Sequence, residues 1–458
     1  MNSPAGQPGP CPEAAGPRDS SVAARRFRAL SRDGAKRPEG PAGPEAGATL
    51  AFVESPVQLL NVLEWAYADG GGDPSPEQAA GVAPGGRPSP STPEGLGAPG
   101  GLGAPGGLGA PEGPGAPGGL GAAGLGAAGL GAAGLGAAGL TVVVLSPHDP
   151  MTRGQLRRMA ELARDEGITV RWEDARGGAG APLKTIGGLR GPLRRAGRIV
   201  IGDPFSRYVQ LLLTLTRAQD LVVVDDGTAT MEFVSQLASG EPLVRWHRRG
   251  TGRGAREMVF APVSATARRR LTPGGDRRVE VFSSMPVEPP AGVTVTANSF
   301  AWTRARFGPP RLTRGTDLVG TSLVETGVVD LERYLEAVAA LARTHGATRY
   351  FAHRRESAEK LHRVAAGIGL EVVRPELPLE LIARRGPIGH TIVSFPSTVV
   401  HTLPLALAGT GVKVAVCDVD PAWLRSDASP RAQGFLSGVT GTARDAHRLR
   451  SAPAATRI

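Results

Sequence analysis

Residues 198–228 read RIVIGDPFSRYVQLLLTLTRAQDLVVVDDGT, and this stretch decides the fold. Apolar runs at 198–201 and 220–224 predict two short strands, and the segment between them has the apolar spacing of a helix over 208–217. Strands that are apolar throughout, rather than at alternate positions, are typical of a parallel sheet covered by helices on both faces. The stretch therefore predicts a doubly wound α/β fold.

The same alternation continues on either side of this stretch. Upstream, a strand over 49–54 leads into Ser55-Pro56, a cap residue followed by proline at the first position of a helix that runs to about residue 68. The periodicity also predicts a helix at 153–166 and strands at 141–146, 168–172, 279–283 and 293–296.

A second alternating block begins after Gly308-Pro309-Pro310, which indicates a linker. Asp330 is expected to cap a helix that carries its apolar residues on one face. Further strands are predicted at 318–320, 349–352, 370–373, 391–393 and 413–416. We therefore expect two Rossmann-type domains that face each other across a cleft, with ligands at the carboxyl ends of the strands.

Low-complexity segments shorten the part of the chain that can fold. The sequence has 65 glycines and 41 prolines, and residues 121–140 consist of four GAAGL copies, which carry too little side-chain volume to build a core. The expected organisation is a disordered tail (1–47), a first Rossmann-like domain (48–315) with a low-complexity insertion (69–139), a second Rossmann-like domain (316–445) and a second tail (446–458).

The net charge of +10 is compatible with an anionic substrate, a nucleic acid or a membrane surface, and also with the codon bias of a GC-rich genome. No aromatic residues interleave regularly with the basic runs at 190–198, 245–256 and 268–278, so we expect no nucleic-acid partner. Peripheral association with a membrane surface through these basic patches stays open.

The cysteines and the apolar runs indicate the compartment. Cys11 and Cys417 offer neither a disulfide framework nor zinc spacing, and the first residues lack the features of a signal peptide. The uncharged run 121–145 is long enough to span a bilayer but too rich in glycine to insert as a helix. We expect a cytoplasmic protein, at most bound to the inner face of the membrane.

Two polar clusters follow predicted strands. The first is Asp225-Asp226-Gly227, in which one carboxylate could deprotonate a sugar hydroxyl while the other holds the turn; a helix cap is the simpler interpretation. The second is His353 with Arg354 and the next arginine, which could neutralise a phosphate or protonate a leaving group, or could form a solvated surface loop.

Two further clusters favour nucleotide binding. Ser397 and Thr398 stand before a helix, where hydroxyls and free backbone N–H groups can bind an anion or simply cap the helix. Glu376 follows a strand and could bind ribose hydroxyls, although a loop carboxylate without a ligand is commoner. Asp418 and Asp420 form an Asp-x-Asp pattern that would suit a metal-bound nucleotide sugar, but so short a motif often arises by chance, and we expect no metal site.

The order and spacing of these clusters resemble bacterial sialyltransferases, especially the polysialyltransferase-like and lipooligosaccharide sialyltransferase families. Asp225-Asp226-Gly227 is similar to their acidic motif, His353 to the histidine of their His-Pro motif, and Ser397-Thr398 to their Ser-Ser/Thr motif. Residues 54–61, ESPVQLLN, resemble the first strand–helix turn of the polysialyltransferase-like group. The resemblance covers about 49–68 and 141–440.

The resemblance implies a GT-B fold and metal-independent, inverting transfer of sialic acid from CMP-sialic acid to a glycan hydroxyl, with no cofactor. It implies Asp226, or else Asp225, as the general base, and stabilisation of the departing CMP phosphate by His353, Ser397 and Thr398. Glu376 would bind the ribose or base of CMP. Ser55, Pro56 and Gly227 would shape turns.

One residue departs from the family pattern, because Arg354 stands where the family has proline. This departure favours an alternative, a GT-B transferase or epimerase that uses another nucleotide sugar. A non-catalytic binding protein of glycan assembly is a second alternative, against which the presence of both carboxylates and the histidine counts. The acceptor, the linkage and the oligomeric state are not predicted.

Overall fold

The computed structural model describes residues 48–70, 139–178, 180–245 and 255–426, with 434, 436, 438–439, 441–442 and 446–449; side chains at 183 and 255–257 are not described. The predicted N-terminal tail and nearly all of the predicted insertion lie outside the described residues.

The first half of the chain forms one parallel sheet of seven strands. Its strand order is β3-β2-β1-β4-β5-β6-β7, so the chain winds outwards in both directions from β1 and β4. The strands are β1 Thr49–Val53, β2 Leu140–Leu145, β3 Thr169–Glu173, β4 Arg198–Ile201, β5 Asp220–Val224, β6 Arg278–Ser283 and β7 Val293–Ala297. The helices are α1 Pro56–Asp69, α2 Pro150–Asp165, α3 Ala181–Arg195, α4 Arg207–Leu215, α5 Thr228–Ala238, α6 Ala255–Arg270 and α7 Ala301–Phe307.

The second half forms a parallel sheet of six strands in the order β10-β9-β8-β11-β12-β13. These strands are β8 Leu312–Val319, β9 Ala347–Phe351, β10 Glu371–Val373, β11 Ile388–Ser394, β12 Lys413–Cys417 and β13 His447–Leu449. The helices are α8 Leu331–His345, α9 Ala358–Ile368, α10 Leu379–Arg385 and α11 Val399–Ala406, and a 3-10 turn spans Pro421–Trp423. Two doubly wound parallel sheets confirm the predicted fold class.

Each sheet has a carboxyl edge, which is the edge formed by the carboxyl ends of its strands. The carboxyl edges of the two sheets, and therefore their topological switch points, face each other. In the first sheet the winding direction reverses between β1 and β4, and in the second between β8 and β11. Ligands of doubly wound folds bind in the crevice at such reversals. We call the space between the two carboxyl edges the cleft.

The two halves are packed together beside the cleft. The amide of Gln155 on α2 donates to the carbonyl oxygen of Pro375 at 2.7 Å. One hydrophobic core cluster includes Leu59 and Trp302 together with Leu377 and Leu381, so apolar side chains of α10 are buried against α1 and α7.

The structure differs from the sequence-based boundaries in two places. The predicted boundary at 315/316 falls inside β8, because the strand begins at Leu312, upstream of the apolar residues that signalled it. β13 lies within the segment predicted as a C-terminal tail, and three residues are too few to produce a periodic signal. Within the described residues, no helix is both long and apolar enough to cross a membrane.

The described residues on either side of the segment between α1 and β2 lie at the amino edge of the first sheet, opposite the cleft. Asp69 at the end of α1 pairs with Arg198 at 2.9 Å, and the carbonyl oxygen of Gly139 accepts from the backbone N–H of Thr49 at 3.1 Å. Thr49 and Arg198 are neighbours in the register of β1 and β4. The two ends of the segment therefore lie close together.

We predict that residues 71–138 can be replaced by a short Gly-Ser linker without loss of the fold. Such a linker spans the gap between the two ends, and shortening a loop reduces its closure entropy only slowly. The thermal unfolding midpoint should stay within a few degrees of that of the full chain. An insoluble product, or a large drop in midpoint, would show that the segment contributes to the core.

Candidate functional site

Asp225 is the carboxylate of the acidic motif that holds the turn. It is buried, and its Oδ1 accepts from Thr230 Oγ1 at 2.8 Å and from the N–H of Gly227 at 3.0 Å. Its Oδ2 accepts from the hydroxyl and the N–H of Ser284 at 2.9 and 3.2 Å. With both oxygens occupied in this way, Asp225 fixes the end of β5 against the end of β6.

Asp226 lies in the cleft and contacts a different set of groups from Asp225. Its Oδ2 lies 3.3 Å from Nη2 of Arg245, which also contacts Oδ2 of Asp203 at 2.9 Å. Burial, followed by the charge of Asp203, raises the pKa of Asp226 to about 7, against the opposing effect of Arg245 and Arg354. A carboxylate with such a pKa is suited to accept a proton near neutral pH.

Gly227 begins α5 in a conformation that side chains disfavour, with φ 66° and ψ −124°. A Cβ at this position would lie 2.8 Å from Cγ2 of Thr398 in the other half of the chain. The glycine therefore permits both the sharp turn after Asp226 and the close approach of the two sheets.

The turn after β1 contributes a further polar group to the cleft. Ser55 caps α1 by accepting from the N–H of Gln58 at 3.2 Å, and Pro56 occupies the first helical position, as the sequence predicts. The Gln58 side chain accepts from the N–H of Glu54 at 2.7 Å and also interacts with Asp226, lowering its pKa slightly. Gly202 leaves room for it, since a Cβ there would overlap the Gln58 amide.

His353 lies in the turn after β9, across the cleft. Its Nδ1 accepts from the N–H of Arg355 at 3.2 Å, so the proton of the neutral ring lies on Nε2. Burial, aided by the charges of Arg354 and Arg355, lowers the pKa of His353 to about 4. The ring is therefore neutral in the unliganded protein and offers a hydrogen bond from Nε2 rather than a charge.

Arg354 is a second cation near Asp226, beside Arg245. It lines a small pocket together with Gln155, His353 and Arg374. It forms no hydrogen bond or ion pair within 4 Å with a described residue, although it lies near enough to Asp226 and Asp149 to feel their charges. Burial lowers the pKa of Arg354, but an arginine keeps its charge in proteins. This side chain is available to an anionic ligand.

Ser397 and Thr398 stand at the start of α11, whose N-terminus points at the cleft. Thr398 is the N-cap residue, but its side chain makes no capping hydrogen bond, and Ser397 Oγ contacts only Ser394 Oγ at 3.3 Å among the described residues. Simple helix capping, the alternative interpretation of this motif, is therefore not what these hydroxyls do. The N–H groups of Val400 and His401 already donate to the carbonyl oxygens of Ser397 and Thr398, so those of Thr398 and Val399 are the ones from which an anion at this helix N-terminus could accept.

Glu376 lies at the rim rather than inside the cleft. Its side chain is 68% exposed and pairs with Arg158 of α2 at 2.9 Å. The structure does not place it against Asp226 or His353, and binding of ribose by Glu376 stays a prediction. The nearby Glu380 is buried instead, accepts from Thr402 Oγ1 at 2.6 Å, and has its pKa raised by burial and by the charge of Asp225.

The Asp-x-Asp pattern is occupied by structural contacts. Asp418 pairs with Arg448 of β13 at 3.0 Å, and Asp420 caps the 3-10 turn by accepting from the N–H of Ala422 at 2.8 Å. In the described part of the chain, no group of three or more histidine, cysteine or acidic side chains is arranged to hold a metal ion.

The cleft thus brings together Asp226 and Gly227 from one sheet with His353, Arg354, Ser397 and Thr398 from the other. Sequence reasoning missed three of its members, Gln58, Asp203 and Arg245. Asp203 is the second residue after β4, as Asp226 is the second residue after β5, so a search of strand ends could have found it. The course of the chain after α5 brings Arg245 to the site, and no local pattern in the sequence predicts this.

Known proteins resemble this chain in fold rather than in sequence. No protein-family model and no curated protein matches the chain. Among solved structures, it is similar to an α/β-galactoside α-2,3-sialyltransferase from Photobacterium phosphoreum, with 7% identity over 87% of this chain and 98% of that chain and a TM-score of 0.39.

Two other solved structures illustrate the range of this likeness. A putative UDP-N-acetylglucosamine 2-epimerase from Listeria monocytogenes matches with 11% identity over 88% of this chain and 92% of that chain, at a TM-score of 0.42. Os79 from O. sativa, in complex with UDP, matches with 13% identity over 67% and 88%, at a TM-score of 0.28. Likenesses of this strength carry no information on activity, which must follow from the residues of this chain.

Proposed function

We propose that this protein is a glycosyltransferase that moves a sugar from a nucleotide donor to a glycan hydroxyl with inversion, and that the donor is CMP-sialic acid. The observation that carries the proposal is the pairing of unlike groups across the cleft. A carboxylate with a raised pKa, Asp226, stands on one edge, and an anion-binding set of Arg354, His353 and the N-terminus of α11 stands on the other. Glycosyl transfer needs a base for the acceptor and charge stabilisation for the departing phosphate.

The reaction is a single displacement. Asp226 takes the proton of the acceptor hydroxyl, whose oxygen forms the new bond to the anomeric carbon. The bond between that carbon and the phosphate oxygen breaks on the opposite face, and CMP leaves with the electron pair. Arg354, the Nε2 proton of His353 and the N–H groups of α11 stabilise the charge on the phosphate as it develops.

The placement of Arg354 supports a donor sugar that is itself anionic. Its guanidinium lies within electrostatic range of both Asp226 and Asp149. The anomeric carbon must lie between the base and the phosphate. A carboxylate attached to that carbon, as in sialic acid, would reach a guanidinium there, and arginine pairs with carboxylates in a planar, two-point geometry.

A ligand panel tests the donor and the metal requirement together. In the presence of EDTA, CMP and CMP-sialic acid should raise the unfolding midpoint, whereas UDP, GDP and their sugars should not. Ligand at about 100 times its Kd adds about 2.7 kcal/mol to stability, which is easily measured. A response to UDP or GDP sugars alone would favour the alternative of a transferase or epimerase with another donor. A response that requires manganese would contradict metal-independent binding.

A further inference from the structure

The turn that carries His353 and Arg354 rests on a buried polar cluster. We call this the Glu356 cluster; it consists of Glu356, Lys360, Tyr350, Tyr334 and Thr321. The side chains of Glu356 and Lys360 are both 0% exposed. Such a charged pair lies directly beneath the turn, where an apolar pair would be expected.

Glu356 connects the cluster to the turn. Its Oε2 accepts from the backbone N–H of His353 at 2.6 Å. Its Oε1 accepts from the hydroxyl of Tyr350 at 2.6 Å and lies 2.7 Å from Nζ of Lys360. The carboxylate therefore closes residues 353–356 into a compact loop from below.

Lys360 and the two tyrosines complete the network. Nζ of Lys360 donates to the carbonyl oxygen of Thr321 at 2.9 Å and lies 3.8 Å from the centre of the Tyr334 ring. The hydroxyl of Tyr334 lies 2.9 Å from that of Tyr350 and accepts from the N–H of Thr321 at 3.2 Å. Each charge in the cluster thus has a partner, which is the condition under which a buried network is rigid.

Gly320, at the end of β8, gives the cluster its space. A Cβ at this position would overlap Oε2 of Glu356 and would lie 2.5 Å from the hydroxyl oxygen of Tyr350. The absence of a side chain at Gly320 is therefore what allows the carboxylate to reach the His353 N–H from below.

Stability alone does not account for the cluster. Replacing a buried ion pair by well-packed apolar residues is often neutral or stabilising, because burying both charges costs desolvation energy. A role in fixing geometry does account for it. In the families that the sequence resembles, a proline follows the histidine and shapes this turn; here Arg354 occupies that position and cannot impose a fixed φ angle.

We propose that Glu356 is a positioning residue, which holds the 353–355 turn so that the imidazole of His353 and the guanidinium of Arg354 face the cleft. The cluster would then replace the conformational constraint that proline provides. That the turn binds the donor phosphate rests on the proposed function, whereas the holding of the turn does not.

Two double variants distinguish the positioning role of Glu356 from the effect of its ion pair with Lys360. Glu356→Gln with Lys360→Met removes both charges but keeps an oxygen that can accept from the His353 N–H. Glu356→Leu with Lys360→Met removes both charges and that acceptor. The two proteins differ only in the group beneath His353. Thermal unfolding should find both folded, since Glu325, the other carboxylate that pairs with Lys360 at 3.5 Å, is partly exposed and keeps its hydrogen bond from the N–H of Ser357.

The first measurement needs no ligand. In the Gln/Met protein the pKa of the His353 ring, followed by NMR, should stay well below its ordinary value because burial still lowers it, and should rise only by the part due to the lost Lys360 charge. It should move towards about 6.5, the value in water, when the Leu/Met protein releases the turn. The same His353 titration in both proteins would overturn the proposal. If the Leu/Met protein does not fold, Gly320→Ala, which displaces the same carboxylate, takes its place in the comparison.

The second measurement uses CMP and calorimetry. We expect CMP affinity to fall about tenfold or more in the Leu/Met protein and to change little in the Gln/Met protein. A loss of this size is usual when a residue that supports a ligand-binding side chain is removed. Equal affinities with a shifted His353 titration would mean that the turn moves but does not bind the nucleotide, which overturns its donor role. A wild-type protein that binds no CMP would contradict the proposed donor and leave the titration result intact.

Discussion

Replacing Asp226 by asparagine is expected to lower the rate of sugar transfer by about 10²–10⁴-fold, the usual contribution of a general base. CMP affinity should hardly change, because the base contacts the acceptor and not the nucleotide. Release of CMP from CMP-sialic acid in the presence of a panel of glycan acceptors gives the rate, and calorimetry gives the affinity. Full activity of the variant would remove Asp226 from the mechanism.

The pH dependence of the same reaction provides a second test of Asp226 as the general base. Burial and Asp203 raise the pKa of this carboxyl to about 7, so it is protonated and inactive at low pH. The rate should therefore rise with pH through an apparent pKa near 7 and reach a plateau above it. The residual activity of the Asp226→Asn protein should not show this rise with pH.

Asp225→Asn is the matched control, since the neighbouring carboxylate has the same chemistry but a different position. Asp225 accepts four hydrogen bonds from Thr230, Gly227 and Ser284. An asparagine must turn an NH₂ group towards some of these donors, so this variant should lose thermal stability. Asp226→Asn should not, because it removes a carboxylate that burial and Asp203 make costly to ionise. Equal loss of stability in both variants would contradict the division of roles.

Replacing Gly227 by alanine is expected to lower both stability and activity. Holding a side chain at φ 66° and ψ −124° costs on the order of 1–3 kcal/mol in the free energy of unfolding. The new methyl group would also lie 2.8 Å from Cγ2 of Thr398 and push the two edges of the cleft apart. Because displacement by about 1 Å can cost on the order of 10²-fold in rate, transfer should fall by a similar factor.

Two further variants separate the backbone effect from the contact across the cleft. Gly308 also combines a positive φ with a ψ outside the left-handed helical region, 56° and −172°, but no heavy atom lies within 4 Å of the place that a methyl group would take there, so Gly308→Ala reports the backbone cost alone. Thr398→Ser removes Cγ2 and keeps the hydroxyl. Combined with Gly227→Ala, it should restore part of the lost rate. A double variant no faster than Gly227→Ala would mean that the contact across the cleft does not limit transfer.

The sequence predicts the strands of this fold better than its helices. Apolar runs such as 198–201 and 220–224 identify buried strands directly, because both faces of the sheet are covered. Helices α3 and α6 were missed because glycine, proline and arginine break their apolar periodicity; α3 has a proline at position 192 and α6 has one at 262. α10 was missed because its seven residues are packed between the two halves, where long-range contacts stabilise a short helix.

The residues of the candidate site also differ in how well the sequence predicts them. Residues at strand ends, such as Asp226 and His353, are predictable because doubly wound sheets gather these ends at one edge. The bridge of Arg245 to Asp203 and the support of His353 by Glu356 depend on contacts between distant segments or on burial, and no spacing in the sequence encodes them.

The position of the GAAGL copies has an evolutionary consequence. They lie in the part of the sequence between α1 and β2, whose described ends, Asp69 and Gly139, stand at the edge of the sheet remote from the cleft. Tandem copies are gained and lost by slippage during DNA replication, and such changes would alter neither the strand register nor any residue of the cleft. Selection on catalysis therefore places little constraint on the copy number, and lineages that share this fold should differ more in the length of this segment than anywhere else between β1 and β12.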